Sequence, residues 1–508
     1  MAFDAVRWRI AQAVRRSLLA TSETHTIRRA YLWLRASHLV QYLWRLIDRD
    51  GDADWLATER YAASGGIFAE SANVKVKTAA ASLVSIESET FYDDLLARIA
   101  THEPRDAPVP RRAVLINNGL SAGGAERQIV YTLTGLAKRG WDARFIGEHL
   151  LSAPGLAFHL ETLRRAGIQA TPLPRKRRVG KHIYATITRP VADVLSRLPA
   201  ATVLEILDMV AALRQACPAV VHLWQDETST KHAISAFIAG VPRIILSGRN
   251  LDPTHFAYHR PHMRGAYRAL AKLPSITLSN NSCAGARSYA AWLDLDPSII
   301  RVVHNGVDTK LWPTRSHTER AAWRRTHQIT ETAPVVVGAF RLAAEKRPLL
   351  WLEVAAQLRV LRSDARFVLI GDGPLRDAVK ARVLDLSLTD ALILLGEVKD
   401  VSLPISCADV FLLTSAQEGL PNVLLESQWY GRPCLTTDAG GAREAIHENV
   451  TGLIAVNDDA NALANALYAL LNDDILRTSA ITDGPRFIER QFGVDRMIDE
   501  TLALYDLG

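Results

Sequence analysis

Short apolar runs alternate with longer helical patterns through most of this chain, and this alternation constrains its fold more than any other feature. Each run has the length and the polar bounds of a buried strand, and a helix or a short loop follows it. That order is typical of parallel α/β layers. The predicted strands are Arg112–Asn118, Ala143–Gly147, Ala219–Trp224, Arg243–Ser247, Ser275–Ser279 and Ile299–Val303, then 335–339, 366–370, 391–395, 409–413 and 433–436. We therefore expect two doubly wound α/β domains that face each other across a cleft, with ligands at the carboxyl ends of the strands.

A turn at Asn305–Asp308 and a polar stretch ending near Thr332 separate the two sets of strands. The 508 residues are enough for two or three domains. The predicted organisation is an α-helical N-terminal extension at 1–110, a first domain at 111–312, a linker at 313–332, a second domain at 333–484 and a terminal helical segment at 485–508.

Composition excludes several classes of protein. The net charge of +6 is mild, and neither zinc-finger spacing nor a basic sheet studded with aromatic residues is present, so we expect no nucleic-acid partner. The four cysteines are far apart and include no C-x-x-C pair, which favours reduced thiols in a cytosolic protein. No apolar run is long enough to span a membrane, and no signal peptide is predicted.

Two carboxylates, Glu418 and Glu426, stand with seven residues between them where an apolar run gives way to a Gly/Pro turn and then a helix. The free N–H groups of Asn422, Val423 and Leu424 at the helix start suit an anion, and a diphosphate fits best. Glu426 can reach a sugar hydroxyl pair beside that diphosphate, and Glu418 lies where a second sugar would be.

Cations and glycines complete the predicted site. Arg341 and Lys346 follow the first strand of the second domain, so a guanidinium fork and a point charge can converge on one phosphate pair. Gly123 and Gly124 follow the first strand of the first domain and let the backbone approach a ligand closely. A plain turn would also explain two adjacent glycines.

The spacing of Glu418 and Glu426 resembles the E-x7-E motif of glycosyltransferase family 4, whose members are retaining enzymes of the GT-B fold with two Rossmann-like domains. The match continues after the motif through Trp429–Asp438 and Ala439–Glu444. It also appears in Gly123–Arg127, Val335–Lys346 and Val368–Pro374, and all these segments fall in family order across roughly residues 112–505.

The resemblance implies transfer of a sugar, with retention, from a nucleotide-diphosphate donor to a glycan or lipid-linked glycan acceptor. It implies that Glu418 stabilises the cationic transition state of the transferred sugar, that Glu426 binds the ribose, and that His222 lies near the reacting sugar. The implied catalytic residues are Glu418, His222, Arg341 and Lys346. The implied donor-binding residues are Gly123, Gly124, Arg341, Lys346, Val398, Gly419, Leu420, Asn422, Val423, Leu424 and Glu426.

The resemblance also favours UDP over GDP as the donor nucleotide, because UDP is common in the family, and implies that the terminal helix crosses back to the first domain. No metal or cofactor is required beyond the nucleotide sugar, which is a co-substrate. Residues 48–59 resemble an EF-hand calcium loop, but Ala53 occupies the position that needs glycine, so a polar turn is the alternative.

Acceptor contacts are predicted at two places. Glu126 and Arg127 suit either an acceptor or a helix cap. Arg175, Arg177 and Arg178 suit a lipid phosphate or form a solvated loop.

Residues 1–50 carry nine arginines against four acids, interleaved with tryptophan, tyrosine and leucine. This pattern suits a helix on an anionic membrane surface, and a helical hairpin or an oligomer contact fits it equally. With a surface helix, the chain would be a peripheral enzyme on the cytosolic face that builds a bacterial surface polysaccharide or exopolysaccharide. A non-catalytic scaffold of the same fold and a sugar-nucleotide 2-epimerase are the alternatives.

Overall fold

The computed structural model describes residues 89–100, 107–173, 187–256, 258–398 and 400–506. Two groups of predictions lie outside this part of the chain. The first concerns residues 1–88, including the segment 48–59, and the second concerns residues 174–186, including the three arginines at 175, 177 and 178. Helix α1 (Glu89–Ala100), which we predicted as part of the extension, packs into the core of the first domain. Its buried side chains Phe91, Leu95 and Ile99 recur every four residues and form one apolar face.

The first domain contains a parallel sheet of seven strands in the order β3-β2-β1-β4-β5-β6-β7. The strands are β1 (Val109–Asn117), β2 (Asp142–Gly147), β3 (Gln169–Pro172), β4 (Pro218–Trp224), β5 (Arg243–Gly248), β6 (Ile276–Asn280) and β7 (Arg301–Val302). The helices of this half are α2 (Gly124–Lys138), α3 (Leu160–Arg165), α4 (Arg189–Leu195), α5 (Ala200–Ala216), α6 (Asp226–Ile238), α7 (His262–Leu270) and α8 (Cys283–Leu293).

The second domain contains a parallel sheet of six strands in the order β10-β9-β8-β11-β12-β13. The strands are β8 (Val335–Ala339), β9 (Arg366–Ile370), β10 (Leu392–Gly396), β11 (Val410–Leu413), β12 (Cys434–Thr437) and β13 (Gly452–Ala455). The helices from the linker onward are α9 (His317–Thr326), α10 (Pro348–Leu361), α11 (Arg376–Asp385), α12 (Ser402–Ser406), α13 (Asn422–Trp429), α14 (Ala460–Leu471), α15 (Asp474–Phe492) and α16 (Val494–Asp506).

The predicted linker contains α9, which begins with a capping box between Ser316 and Glu319. Arg324 in this helix forms an ion pair with Asp409 at the start of β11, with 2.9 Å between the charged atoms. The helix is thereby held against the second domain.

The last two helices divide between the domains. Residues 485–492, which we assigned to the crossing segment, belong to α15, whose buried Ile488 and Phe492 join the second core. Helix α16 crosses to the first domain, where Ile498 and Tyr505 are buried beside α2 and the sheet. A Cβ on Gly135 would meet Ile498 at 2.4 Å, so glycine permits this close packing.

Two parallel sheets, each faced by helices, place the carboxyl ends of their strands at the same cleft. Among the described helices, none is both long enough and apolar enough to cross a membrane.

Candidate active site

Glu418 lies in the turn after β11 and is only 6% exposed. One of its carboxylate oxygens, Oε1, accepts hydrogen bonds from Lys346 Nζ at 2.6 Å and from Ser415 Oγ at 2.7 Å. Lys346 comes from the loop after β8, the neighbouring strand in the sheet. The structure therefore brings two predicted site residues together as an ion pair, and the two bonds fix the direction of the carboxylate.

Glu426 lies one turn into α13 and is 2% exposed. Its Oε1 accepts a hydrogen bond from the guanidinium of Arg127, which belongs to the first domain. Burial raises the pKa of Glu426 above its ordinary value, and the positive charge of Arg127 opposes this rise. Arg127, which we predicted as an acceptor or capping residue, is thus placed at the carboxylate predicted to bind ribose.

The start of α13 faces the glycine turn of the first domain. The side chain of Asn422 donates a hydrogen bond to the carbonyl of Gly124 at 3.1 Å. A Cβ on Gly124 would lie 2.7 Å from Asn422 Nδ2, so a larger residue there would displace the Asn422 amide. The N–H of Leu424 is bonded to the carbonyl of Pro421 within the turn, so the predicted anion site rests on the N–H groups of Asn422 and Val423.

The other predicted donor residues lie around this helix start or near it. Arg341 is exposed just beyond the carboxyl end of β8. Gly419 packs against the first domain, since a Cβ on it would meet the carbonyl oxygen of Arg249 at 2.4 Å. Leu420 is buried, and Val398 is half-buried against the core of the second domain.

His222, which we predicted near the reacting sugar, is enclosed by other side chains. It lies in β4, is 3% exposed, and both ring nitrogens are bonded inside the first domain. Nδ1 is 3.0 Å from the hydroxyl of Tyr505 in α16, and Nε2 is 2.8 Å from Ser247 Oγ. Burial, with a smaller contribution from Arg249, lowers the pKa of His222 to about 3, so the ring is neutral near pH 7. These contacts describe a structural histidine that attaches the terminal helix to the sheet.

Glu126 lies on the first-domain side of the cleft. Burial raises the pKa of its carboxyl group, and hydrogen bonds from its own backbone and from the side chains of Ser121, Asn117 and Gln225 oppose the rise. A Cβ on Gly123 would lie 2.1 Å from Glu126 Oε2. Both predicted residues therefore share one corner of the cleft.

Gln225, at the carboxyl end of β4, has φ 66° and ψ 158°, a backbone conformation that residues other than glycine rarely adopt. Such strain costs about 1–3 kcal/mol and is concentrated at functional sites. Its position beside Glu126 supports a role for this corner in binding.

Two residues that we did not predict, Arg249 and Asn305, complete the cleft. Asn305 Nδ2 donates to the carbonyl of Leu420 and to Asn422 Oδ1, both at 2.9 Å, while its own Oδ1 accepts from Arg249. Asn305 thereby joins both domains at the start of α13. The available sequence signal for Arg249 was an arginine immediately after the predicted strand Arg243–Ser247 and its glycine.

One group of side chains in the described part of the chain could hold a metal ion, namely Cys283, His304 and Glu444, whose ligand atoms lie within 4.8 Å of one another. The carboxylate of Glu444 already accepts the N–H groups of Cys283 and Ala284, both at 2.7 Å, and lies 3.0 Å from His304 Nε2. It therefore acts as a cap for α8 contributed by the other domain.

Comparison with known proteins gives the same picture of the fold. Residues 319–487 match the family model for glycosyl transferases group 1. Among solved structures, Anabaena HepE in complex with UDP-glucose has a TM-score of 0.63 at 19% identity, covering 77% of this chain and 99% of that one. WaaG, a glycosyltransferase involved in lipopolysaccharide biosynthesis, has a TM-score of 0.58 at 16% identity, covering 78% of this chain and 100% of that one. The predicted fold, two Rossmann-like domains of the GT-B type, is confirmed.

Two curated relatives extend the match across most of the chain. The Vi polysaccharide biosynthesis protein VipC/TviE of Salmonella typhi is 31% identical over 421 residues, which are 78% of this chain and 72% of that protein. The UDP-Gal:alpha-D-GlcNAc-diphosphoundecaprenol alpha-1,3-galactosyltransferase of Escherichia coli is 26% identical over 298 residues, which are 56% of this chain and 74% of that protein. These matches do not favour the scaffold or the epimerase alternative. The chain belongs to the glycosyl transferases group 1 family and is a glycosyltransferase.

Proposed function

We propose that this glycosyltransferase moves a sugar, with retention of configuration, from a nucleotide-diphosphate donor to a glycan or lipid-linked glycan in bacterial polysaccharide biosynthesis. The observation that carries the proposal is the oriented carboxylate of Glu418, fixed by Lys346 and Ser415 beside the start of α13. A carboxylate in this position stabilises positive charge that develops on the transferred sugar, because its direction is set before the reaction.

The departing diphosphate needs positive groups around it, and the second domain supplies them. The N–H groups of Asn422 and Val423 point out of the start of α13, and the positive end of the helix dipole adds to their effect. Arg341 is exposed close to the same sheet edge and is available as a guanidinium fork. In this mechanism the acceptor attacks on the face from which the diphosphate leaves, and a diphosphate oxygen receives the acceptor proton.

We propose that no metal ion is needed for this step. Cationic side chains and the helix start perform the charge stabilisation that a bound metal performs in other glycosyltransferases.

Uridine diphosphate is the proposed donor nucleotide. HepE of Anabaena, which shares the fold, was solved in complex with UDP and with UDP-glucose. A lipid-linked acceptor is supported by the E. coli relative, whose name specifies a diphosphoundecaprenol substrate. Such an acceptor requires work at a membrane, so we propose a cytoplasmic enzyme that associates peripherally with the inner face, and binding to anionic vesicles at low salt would test that location.

The test of the proposed function is calorimetric titration of UDP, GDP and their sugar conjugates into the full chain, followed by transfer assays. We expect binding of a uridine nucleotide that is lost in Glu426→Gln. We expect Glu418→Gln to keep nucleotide binding and to lose transfer by about 100-fold or more, because one preorganised electrostatic group is removed. Glu331→Gln, an exposed site away from the cleft, is the matched control. Normal transfer by Glu418→Gln, or failure of the wild type to bind any nucleotide, would contradict the proposal.

A further inference from the structure

Arg249 follows β5 at the carboxyl edge of the first sheet. Its guanidinium carbon lies 4.2 Å from the ring centroid of Trp224, and one terminal nitrogen donates to Asn305 Oδ1. Its Nε is shielded from solvent and has no hydrogen-bond partner. Within the described part of the chain, no carboxylate forms an ion pair with this guanidinium.

Some shielded cations of the described residues are paired with acids, whereas Arg432 is bonded only to the backbone carbonyls of Tyr430 and Ala408. Lys231 is bonded to Glu148 and Glu205, and Arg324 to Asp409. A cation that is partly removed from water without a counter-ion destabilises the folded state, and Arg249 is such a cation at the cleft.

The pKa of Arg249 also indicates that its charge is not fully compensated by nearby acids. Burial lowers the pKa of Arg249 to about 9, and the charge of Glu126 offsets this only in part. The guanidinium remains positive near pH 7 because that pKa is still well above 7. An anion that entered the cleft would therefore restore a missing charge pair.

The surroundings of Arg249 are those of the candidate active site. Asn305, its hydrogen-bond partner, is bonded to Asn422 at the start of α13. The backbone carbonyl of Arg249 faces Gly419, the neighbour of Glu418. The first domain thus presents a cation to the same space that the start of α13 and Lys346 border from the second domain.

We propose that Arg249 binds a phosphate group of a substrate in the cleft, as a positively charged ligand contributed by the first domain. This inference rests on the proposed function and adds a residue to it. The phosphate has two sources, the diphosphate of the nucleotide donor and a phosphate carried by the acceptor. A planar guanidinium fork matches either one, and Trp224 holds the plane of that fork in position.

The test compares Arg249→Gln and Arg249→Lys with Arg325→Gln, an exposed arginine on α9 that controls for the change in net charge. Calorimetry with UDP, uridine and inorganic pyrophosphate separates phosphate contacts from base contacts. If Arg249 holds the donor diphosphate, UDP binding weakens about 10- to 100-fold in Arg249→Gln while uridine binding is unchanged. If it holds an acceptor phosphate, UDP binding is unchanged, and pyrophosphate binding and transfer to a lipid-diphosphate acceptor weaken by a similar factor.

Stability provides a second readout. Arg249→Gln should melt at the same temperature as the wild type or higher, since it removes an unpaired shielded charge. A purely structural arginine would give the opposite sign. The inference is overturned if Arg249→Gln binds UDP and pyrophosphate and transfers sugar as Arg325→Gln does. If the wild type binds pyrophosphate through Arg249 but no nucleotide, the proposed donor is wrong and the phosphate site stands.

Discussion

Replacing Arg127 with methionine leaves the carboxylate of Glu426 buried without its counter-ion. Methionine keeps much of the apolar length of arginine, so the change is mainly one of charge. Breaking a buried ion pair costs about 3–5 kcal/mol. The side chain of Arg127 is 27% exposed, which places this pair at about 3 kcal/mol, the lower end of that range.

An independent limit comes from proton uptake, since an isolated buried carboxylate can become neutral. Neutralising a carboxyl group of ordinary pKa 4.5 at about pH 7 costs about 3.4 kcal/mol, and the electrostatic loss cannot exceed that value. The pKa of Glu426 is already raised in the folded protein, and without Arg127 it rises further. Folding then takes up a proton, so the loss is full above the folded pKa, shrinks as the pH falls and disappears below about 4.5.

The assay is thermal unfolding of wild type, Arg127→Met, Glu426→Gln and the double variant at about pH 7 and about pH 5. At about pH 7 we expect Arg127→Met to melt roughly 6–12 °C lower, because 1 kcal/mol corresponds to roughly 2–4 °C in a domain of this size. At about pH 5 the loss should be under about 1 kcal/mol. The double variant should recover most of the stability. An equal loss at both pH values, or no recovery in the double variant, would show that Arg127 acts through packing and not through charge.

Two further predictions concern residues that hold the site in place. His222 is neutral in the folded protein with a pKa of about 3, so the wild type should lose stability as the pH falls from about 6.5, by at most about 5 kcal/mol. His222→Gln should show a shallower dependence of unfolding free energy on pH in acid. Equal slopes would refute the neutral state of His222. A Cβ at Gly441 would lie 1.5 Å from the carbonyl oxygen of Gly419, so Gly441→Ala should displace the turn that carries Glu418, lower the melting temperature and abolish transfer. The control Gly155→Ala, whose Cβ would meet nothing within 4 Å, should be tolerated. Wild-type activity in Gly441→Ala would count against the close contact.

The interior strands could be predicted from sequence because burial on both faces requires continuous apolar runs. The two strands that we did not predict, β3 (Gln169–Pro172) and β13 (Gly452–Ala455), are the edges of their sheets. Both are four residues long and only partly buried; β3 is Gln-Ala-Thr-Pro, which contains no apolar run, and β13 is Gly-Leu-Ile-Ala, whose apolar run is short. The other two edge strands, β7 and β10, were predicted, so the polar composition of β3 and the short apolar run of β13 explain the omissions better than edge position does.

Predictions of the site depended on how local each contact is. Lys346 and Glu418 were both assigned to the carboxyl ends of strands in the second domain, but the ion pair between them was not predicted. The bond between His222 and Tyr505 was not predicted either, because the two residues are 283 positions apart in the chain. From the sequence alone Arg249 looks like a solvated charge, because its contacts with Trp224 and Asn305 appear only in the folded structure.

The return of α16 to the first domain makes that domain discontinuous along the chain. Its sheet ends at Val302, but Ile498 and Tyr505 of its core arrive only with the last helix. At ribosomal rates of about 5–20 residues per second, the nascent first domain waits roughly 10–40 s for these side chains. The second domain is synthesised during that interval and can complete its own core first. Synthesis of the second core therefore ends at Phe492, before Ile498 and Tyr505 are added to the first core.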